Sequence, residues 1–236
     1  MKRGPAFSPT RPIRAILFDF DGVIADTEPL HYRTFAAVLA DEGITITREV
    51  NDREFIGIDV VESFEKAFRL AHRTLEPEAR DALIRKKSVR FQEAIPTLKL
   101  FPGAMELVAA ASRRLPCAIG SGALRAEIEA VLRYHGLMDS FRFLVTADDK
   151  VRSKPAPDVY LRALELFRKR GQPDLEPEDC LVIEDSIPGI QASRLAGMRC
   201  VAVAHSHPAH MLQEADLVIP TLVEWSWESV GELSNS

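Results

Sequence analysis

The sequence predicts an α/β protein, a doubly wound and mostly parallel sheet that carries an inserted helical module. Three observations predict it. Six short apolar runs rich in branched residues read as buried strands, continuous rather than alternating. Helical patterns fall between the later runs. One stretch early in the chain is strand-poor and reads as helices in succession.

The strand candidates are Ile13–Phe20, Cys117–Ser121, Phe143–Thr146, Cys180–Ile183, Cys200–Ala204 and Leu217–Ile219. The helical patterns among them are Ala104–Arg114, Arg125–His135, Pro157–Arg170 and Ile190–Ala196. Punctuation agrees: Gly136 and Gly197 stand where helices stop, and Pro157 where one starts. From Pro29 to Ile95 the pattern changes. Val60, Val61, Phe64, Ala67, Phe68 and Ala71 make one apolar helical face, and a second helix is expected over Pro77–Ala94. Pro96 and Pro102 mark the return to the sheet. The expected division is a catalytic core of residues 1–28 and 97–236, with a helical module at 29–96. An insertion there stands after the first strand, at the carboxyl end of the sheet, where open α/β folds bind ligands. Residues 1–12, with Pro5, Pro9 and Pro12, read as an irregular tail.

At 236 residues with 46% hydrophobic and 28% charged content, the chain has apolar material for a real core. Its formal net charge of −5 is the wrong sign for a global nucleic-acid or anionic-membrane binder, so neither partner is expected. A small anionic substrate needs only a few local cations. No apolar run approaches the roughly 18 residues of a membrane span. Cys117, Cys180 and Cys200 are widely spaced in apolar runs and read as buried reduced thiols, which with the absent leader pattern gives a cytoplasmic expectation.

Four features carry chemistry. In I-R-A-I-L-F-D-F-D-G, Asp19 and Asp21 are two apart at the end of an apolar strand, so an extended chain points both to one side. Two such carboxylates need a shared proton or a cation, although a lone Asp there often only caps a helix. In V-I-E-D-S, Glu184 and Asp185 end another apolar strand. With Ser186 as a cap they can equally be an acidic first helical turn. Together the four acids gather at one sheet edge, a hard oxygen set that suits Mg²⁺. In S-K-P-A-P, Lys154 precedes a stiff proline segment; surface solvation is the ordinary fate of such a lysine. In G-S-G, Gly120, Ser121 and Gly122 follow a strand, and the glycines allow close backbone approach to a ligand. A nucleophilic carboxylate, a cation, an ammonium and a hydroxyl are the parts that phosphoryl transfer needs.

D-F-D-G-V-I-A-D-T-E at Asp19–Glu28, followed by Ser121, Lys154 and the Glu184–Asp185 pair, resembles in order the four motifs of the haloacid dehalogenase superfamily. The likeness is to its phosphatase and β-phosphoglucomutase-like (CbbY-like) branch. V-I-E-D-S-I-P-G-I-Q-A-S-R-L-A-G-M is similar over many positions, and the likeness runs from Ile13 onward. It implies a Rossmannoid core with a mobile helical cap that closes over substrate. It implies Asp19 as nucleophile and metal ligand, and Asp21 as general acid/base with its backbone carbonyl on the metal. Asp185 and Glu184 complete a Mg²⁺ site. Ser121 and Lys154 hold phosphoryl oxygens, with Gly22 and Gly122 beside them. Dehalogenases of the superfamily lack the second Asp, so Asp21 favours phosphoryl transfer.

The expected activity is hydrolysis of a small phosphorylated metabolite, a sugar phosphate, through an aspartyl-phosphate, by a monomer or small homo-oligomer. The alternative is a β-phosphoglucomutase-like mutase. His31, in T-E-P-L-H, stands at that branch's hinge histidine and is a candidate phosphate-binding residue, or a helix-face residue without a role. The stretch Gly57-Ile58-Asp59-Val60 lacks the arginine the mutases carry there; Lys86 or Lys87 is a candidate for the family's cap lysine, but both are expected to lie on a solvated helix face. A phospho-acceptor signalling module without turnover is the distant alternative; the D-x-D-G spacing and the insertion argue against it.

Overall fold

The computed structural model describes residues 11–55, 58 and 60–233. Most of the expected tail, and Gly57 and Asp59 of the stretch compared with the mutases, lie outside them. Two compact units join in the chain at Asp26/Thr27 and at Leu98/Lys99. The sequence placed these junctions two residues inward, at 28/29 and 96/97.

The larger unit is built on a six-stranded sheet: β1 (Ala15–Phe18), β2 (Cys117–Gly120), β3 (Leu144–Val145), β4 (Cys180–Glu184), β5 (Arg199–Val203) and β6 (Leu217–Ile219). All pairings are parallel and the order is β3-β2-β1-β4-β5-β6. Every residue of β1, β2, β4 and β5 is buried, which is why these strands read as unbroken apolar runs. The fold class is the expected one. Strands β1, β2 and β3 are shorter than their runs, because the last residues of each of these runs have left the ladder to form the edge. Arg199 is the surprise inside β5: it is 1% exposed, and its guanidinium donates to the Arg11 carbonyl.

Helices flank the sheet: α5 (Ala104–Ser112), α6 (Arg125–Tyr134), α7 (Asp158–Lys169), α8 (Ile187–Leu195) and α9 (Trp227–Glu232). Helix α7 turns Val159, Tyr160, Ala163, Leu164 and Phe167 onto the sheet, the i, i+1, i+4, i+5 pattern of a broad apolar stripe. Ser186 caps α8 by accepting from the Gly189 N–H, as expected, and the helix starts at Ile187, one residue from the start near Pro188 that this cap implies and three before the apolar pattern begins. The sequence missed α9. Trp225 and Trp227 pack edge to face, 5.4 Å between centroids, with the Arg114 guanidinium over Trp227. All three cysteines are free and buried. No helix among the described residues is long and apolar enough to cross a membrane.

The smaller unit holds four helices among the described residues: α1 (Glu28–Asp41), α2 (Arg48–Glu54), α3 (Val60–Leu70) and α4 (Pro77–Ala94). Its core is aromatic. Phe35 meets Phe55 and Phe64 edge to face at 5.2 and 5.0 Å, and Phe64, Ala67 and Phe68 supply the buried face of α3. Truncating Phe64, which is fully buried, to Ala should cost about 3–5 kcal/mol, read as a loss of thermal and urea stability.

Candidate active site

Strand order reverses between β1 and β4, and the crevice at such a switch point opens at the carboxyl ends of the strands. Asp19 directly follows β1, Glu184 is the last residue of β4, Asp185 comes next, and Ser121 follows β2. The Asp19 N–H donates to the Ile183 carbonyl, which fixes the end of β1 against the end of β4. Lys154 arrives from the loop between β3 and α7. Its ammonium donates to Asp19 Oδ1 at 2.8 Å and to Glu184 Oε1 at 2.6 Å. Lys154 is thus no solvated surface lysine; 14% of its side chain is exposed.

Glu184 is the hub. Its Oε1 accepts from Lys154 and from the Tyr160 hydroxyl at 2.8 Å. Its Oε2 accepts from the Asp185 N–H, the Ser186 N–H and the Ser186 hydroxyl, at 2.9, 3.0 and 3.0 Å. The chain turns after Glu184 so that these amides face back at it. That turn also lets adjacent acids serve one site, which a continuing strand would forbid. Asp185 receives the Ser206 hydroxyl on Oδ2. Oxygens of Asp19, Glu184 and Asp185 lie within 4.8 Å of one another, and all three residues are buried.

The Asp21 carboxylate is half-buried and near enough to raise both Asp19 and Asp185. Gly22 follows at φ +80°, in a turn closed by its N–H to the Ala25 carbonyl. A Cβ on Gly22 would stand 1.9 Å from Asp185 Oδ2, so only glycine brings this turn against that acid. Ser121 is buried, and its hydroxyl oxygen accepts from the Ala123 N–H at 3.0 Å, leaving its proton for an acceptor. Gly122 beside it is exposed.

Burial lifts the Asp19 carboxyl well above its usual range, against the pull of Lys154 and with the push of Glu184, Asp185 and Asp21. Burial, then Glu184, carries Asp185 to about 7 against Ser206 and Lys154. Burial acts on Glu184 too, but Lys154 and its other donors outweigh it and hold that carboxyl low. Burial opposes charge on Lys154, yet Asp19 and Glu184 keep its ammonium more basic than usual. One ammonium therefore satisfies Glu184 and leaves Asp19 and Asp185 short of positive charge. A divalent cation on hard oxygen ligands supplies it, so the donor set fits one. Glu184 is the least available of the three, since both its oxygens already accept.

His31 lies in the helical unit. Lys87 Nζ meets its Nδ1 at 2.8 Å, and its ring stacks on Phe91 with centroids 4.7 Å apart. Lys86 is exposed and pairs with Asp41 at 2.6 Å, as a solvated helix face implies. Lys87 overturns that reading, being 5% exposed. The missed signal is its spacing: Leu83, Lys87 and Phe91 stand at i, i+4 and i+8 and are the buried stripe of α4. Sequence reasoning also missed Tyr160, Ser206 and His205. Tyr160 carries a signal, because a tyrosine on a fully apolar helix face needs a partner for its hydroxyl.

A Cβ on Gly189 would stand 1.7 Å from Glu184 Oε1, inside the hub. Gly189→Ala should therefore cost about 3 kcal/mol. Ser186→Ala, which removes the helix cap and one donor, should cost about 1 kcal/mol. Thermal unfolding of the two variants, which should differ in that order, checks both.

Comparison with known proteins identifies the family. The profile described as haloacid dehalogenase-like hydrolase matches residues 13–197. Hexitol phosphatase B of Escherichia coli (strain K12) is 33% identical over 224 residues, covering 92% of this chain and 96% of its own. Beta-phosphoglucomutase of Bacillus subtilis (strain 168) is 30% identical over 225 residues, covering 93% and 95%. The crystal structure of CbbY from Rhodobacter sphaeroides in complex with phosphate superposes with a TM-score of 0.79 at 28% identity, covering 90% and 96%. Two longer relatives, from Arabidopsis thaliana, are spanned by this chain over 36% and 20% of their length. The order of acids, hydroxyl and ammonium around the end of β1 and the match over most of the sequence lead to one conclusion: the chain belongs to the haloacid dehalogenase-like hydrolase family.

Proposed function

We propose that this enzyme is a Mg²⁺-dependent phosphatase that hydrolyses a small phosphorylated metabolite, a sugar phosphate, through an aspartyl-phosphate on Asp19. The observation that carries the reading is the Asp19 carboxylate at the end of β1, bonded to Lys154 at 2.8 Å and grouped with Glu184 and Asp185. The likeness to a hexitol phosphatase, and to a CbbY solved with phosphate, supports the substrate class.

Asp19, Asp185, the Asp21 carbonyl and Glu184 would hold Mg²⁺. When bound, it neutralises these acids and the charge on the phosphoryl oxygens. An Asp19 oxygen forms a bond to phosphorus as the bond to the ester oxygen breaks, and the leaving oxygen takes a proton from Asp21. Asp21, now a base, takes a proton from the water that attacks the phosphorus of the acyl phosphate. Inorganic phosphate leaves and Asp19 is restored. Lys154 balances charge beside Asp19, and Ser121 donates its free hydroxyl proton to a phosphoryl oxygen, with the Gly22 and Gly122 backbone beside it. The helical unit serves as the cap. There His31 is assigned to phosphate binding. An ammonium only donates, so its bond from Lys87 makes the His31 Nδ1 an acceptor.

Phosphate release from a panel of hexose and hexitol phosphates tests the reading. Activity should vanish in EDTA and return with Mg²⁺. Asp19→Asn should lower kcat by roughly a thousandfold or more. Activity that ignores the chelator or survives that substitution refutes the reading. The likeness to a β-phosphoglucomutase makes the acceptor a measurable question. Offered β-glucose 1-phosphate with a catalytic amount of the bisphosphate, the enzyme should release inorganic phosphate; glucose 6-phosphate as the main product would make it a mutase.

A further inference from the structure

The segment after β5 belongs to none of the four motifs, yet two successive residues reach both halves of the cation site. The Ser206 hydroxyl donates to Asp185 Oδ2. His205 Nδ1 lies 2.8 Å from the Gly22 carbonyl oxygen, and the His205 ring stacks on Phe101 with centroids 4.0 Å apart and planes 12° from parallel. A carbonyl oxygen only accepts, so the proton sits on Nδ1. Phe101 is itself tied to the same turn, its N–H donating to the Ile24 carbonyl. The imidazole is thus fixed on one face by an aromatic ring and at its edge by the carbonyl next to Asp21.

Each bond constrains a group that would face the ion. A carboxylate with one oxygen engaged by a hydroxyl keeps one plane and presents its other oxygen. The Gly22 N–H to the Ala25 carbonyl holds the Asp21–Gly22 peptide, which carries the Asp21 carbonyl, and the His205 bond holds the next peptide, so the turn is fixed on both sides of Gly22. The two acidic loops come from β1 and β4 with no covalent link near the site; the Asp19 N–H and Lys154 tie Asp19 to the end of β4, and the segment after β5 adds a tie between Asp185 and the Gly22 turn.

We propose that His205 and Ser206 are positioning residues of the divalent-cation site, holding the Asp185 carboxylate and the Asp21–Gly22 turn in the geometry that binds the ion. The inference rests on the cation-site reading above. Partners of this kind are commonly worth roughly 10–100-fold in metal affinity.

The test is Mn²⁺ binding to the substrate-free full chain, followed by the electron paramagnetic resonance signal of the free ion. Ser206→Ala and His205→Ala should each weaken binding by roughly 10–100-fold. Ser206 is exposed, so its truncation leaves the core packing untouched. Ser206→Thr, which keeps the hydroxyl, and His205→Asn, which keeps a donor for the Gly22 carbonyl, should bind close to wild type. In phosphatase assays the two Ala variants should need more Mg²⁺ and recover wild-type kcat and KM at saturating metal, which a merely unfolded protein would not do. Unchanged Mn²⁺ affinity in both Ala variants, with binding lost in Asp185→Asn, overturns the inference and leaves the site standing. Wild-type affinity in Asp185→Asn overturns the cation-site reading and the inference with it.

Discussion

The constraint on which the site depends is the repulsion among buried carboxylates at the ends of two neighbouring strands. Asp19, Glu184 and Asp185 are forced together because β1 and β4 are adjacent and in register, Phe18 beside Ile183. In a low-dielectric setting such charges are tolerated only with compensation. The protein compensates one of them completely. Glu184 takes the Lys154 ammonium, the Tyr160 hydroxyl, two amides and a serine hydroxyl. Asp19 shares the ammonium, and Asp185 receives Ser206. What remains is a local deficit of positive charge beside a carboxylate held in one orientation, which is the electrostatic setting that favours a divalent ion and a phosphoryl group.

That deficit also explains the two glycines of the site. Gly22 lets the β1 turn come against Asp185, and Gly189 lets the first turn of α8 pass under Glu184. In both places a methyl group would overlap a carboxylate oxygen. The local sequence therefore serves approach rather than flexibility. Gly22, at φ +80°, uses the left-handed backbone freedom that only glycine has cheaply, whereas Gly189 is needed for its missing side chain alone.

Lys154 is largely and Lys87 fully withdrawn from solvent, but their surroundings differ. Lys154 faces carboxylates, which keep it charged against the cost of burial. Lys87 faces the imidazole of His31 and the ring of Phe91, 5.3 Å from its centroid. Both would pass for ordinary surface lysines in the sequence, and in each case the reason for burial is a partner far along the chain.

The sequence by itself determined the periodicities and the chain order of the acids. Continuous apolar runs marked six strands, five of them wholly buried, because strands covered on both faces leave no polar alternation. The acids stood out because each ends such a run, where an unpaired charge is costly. The D-x-D-G and E-D-S patterns with Ser121 and Lys154 in order then pointed to phosphoryl chemistry. The tertiary structure decided what one-dimensional pattern cannot carry. It made Glu184 the hub rather than an equal ligand, buried Lys87 against His31, aimed Tyr160 at a carboxylate and brought His205 and Ser206 to the site. The physical reason is common to all of these. Each depends on a hydrogen bond between elements distant in the chain, and the residue types involved have ordinary surface or core roles until the partner is known.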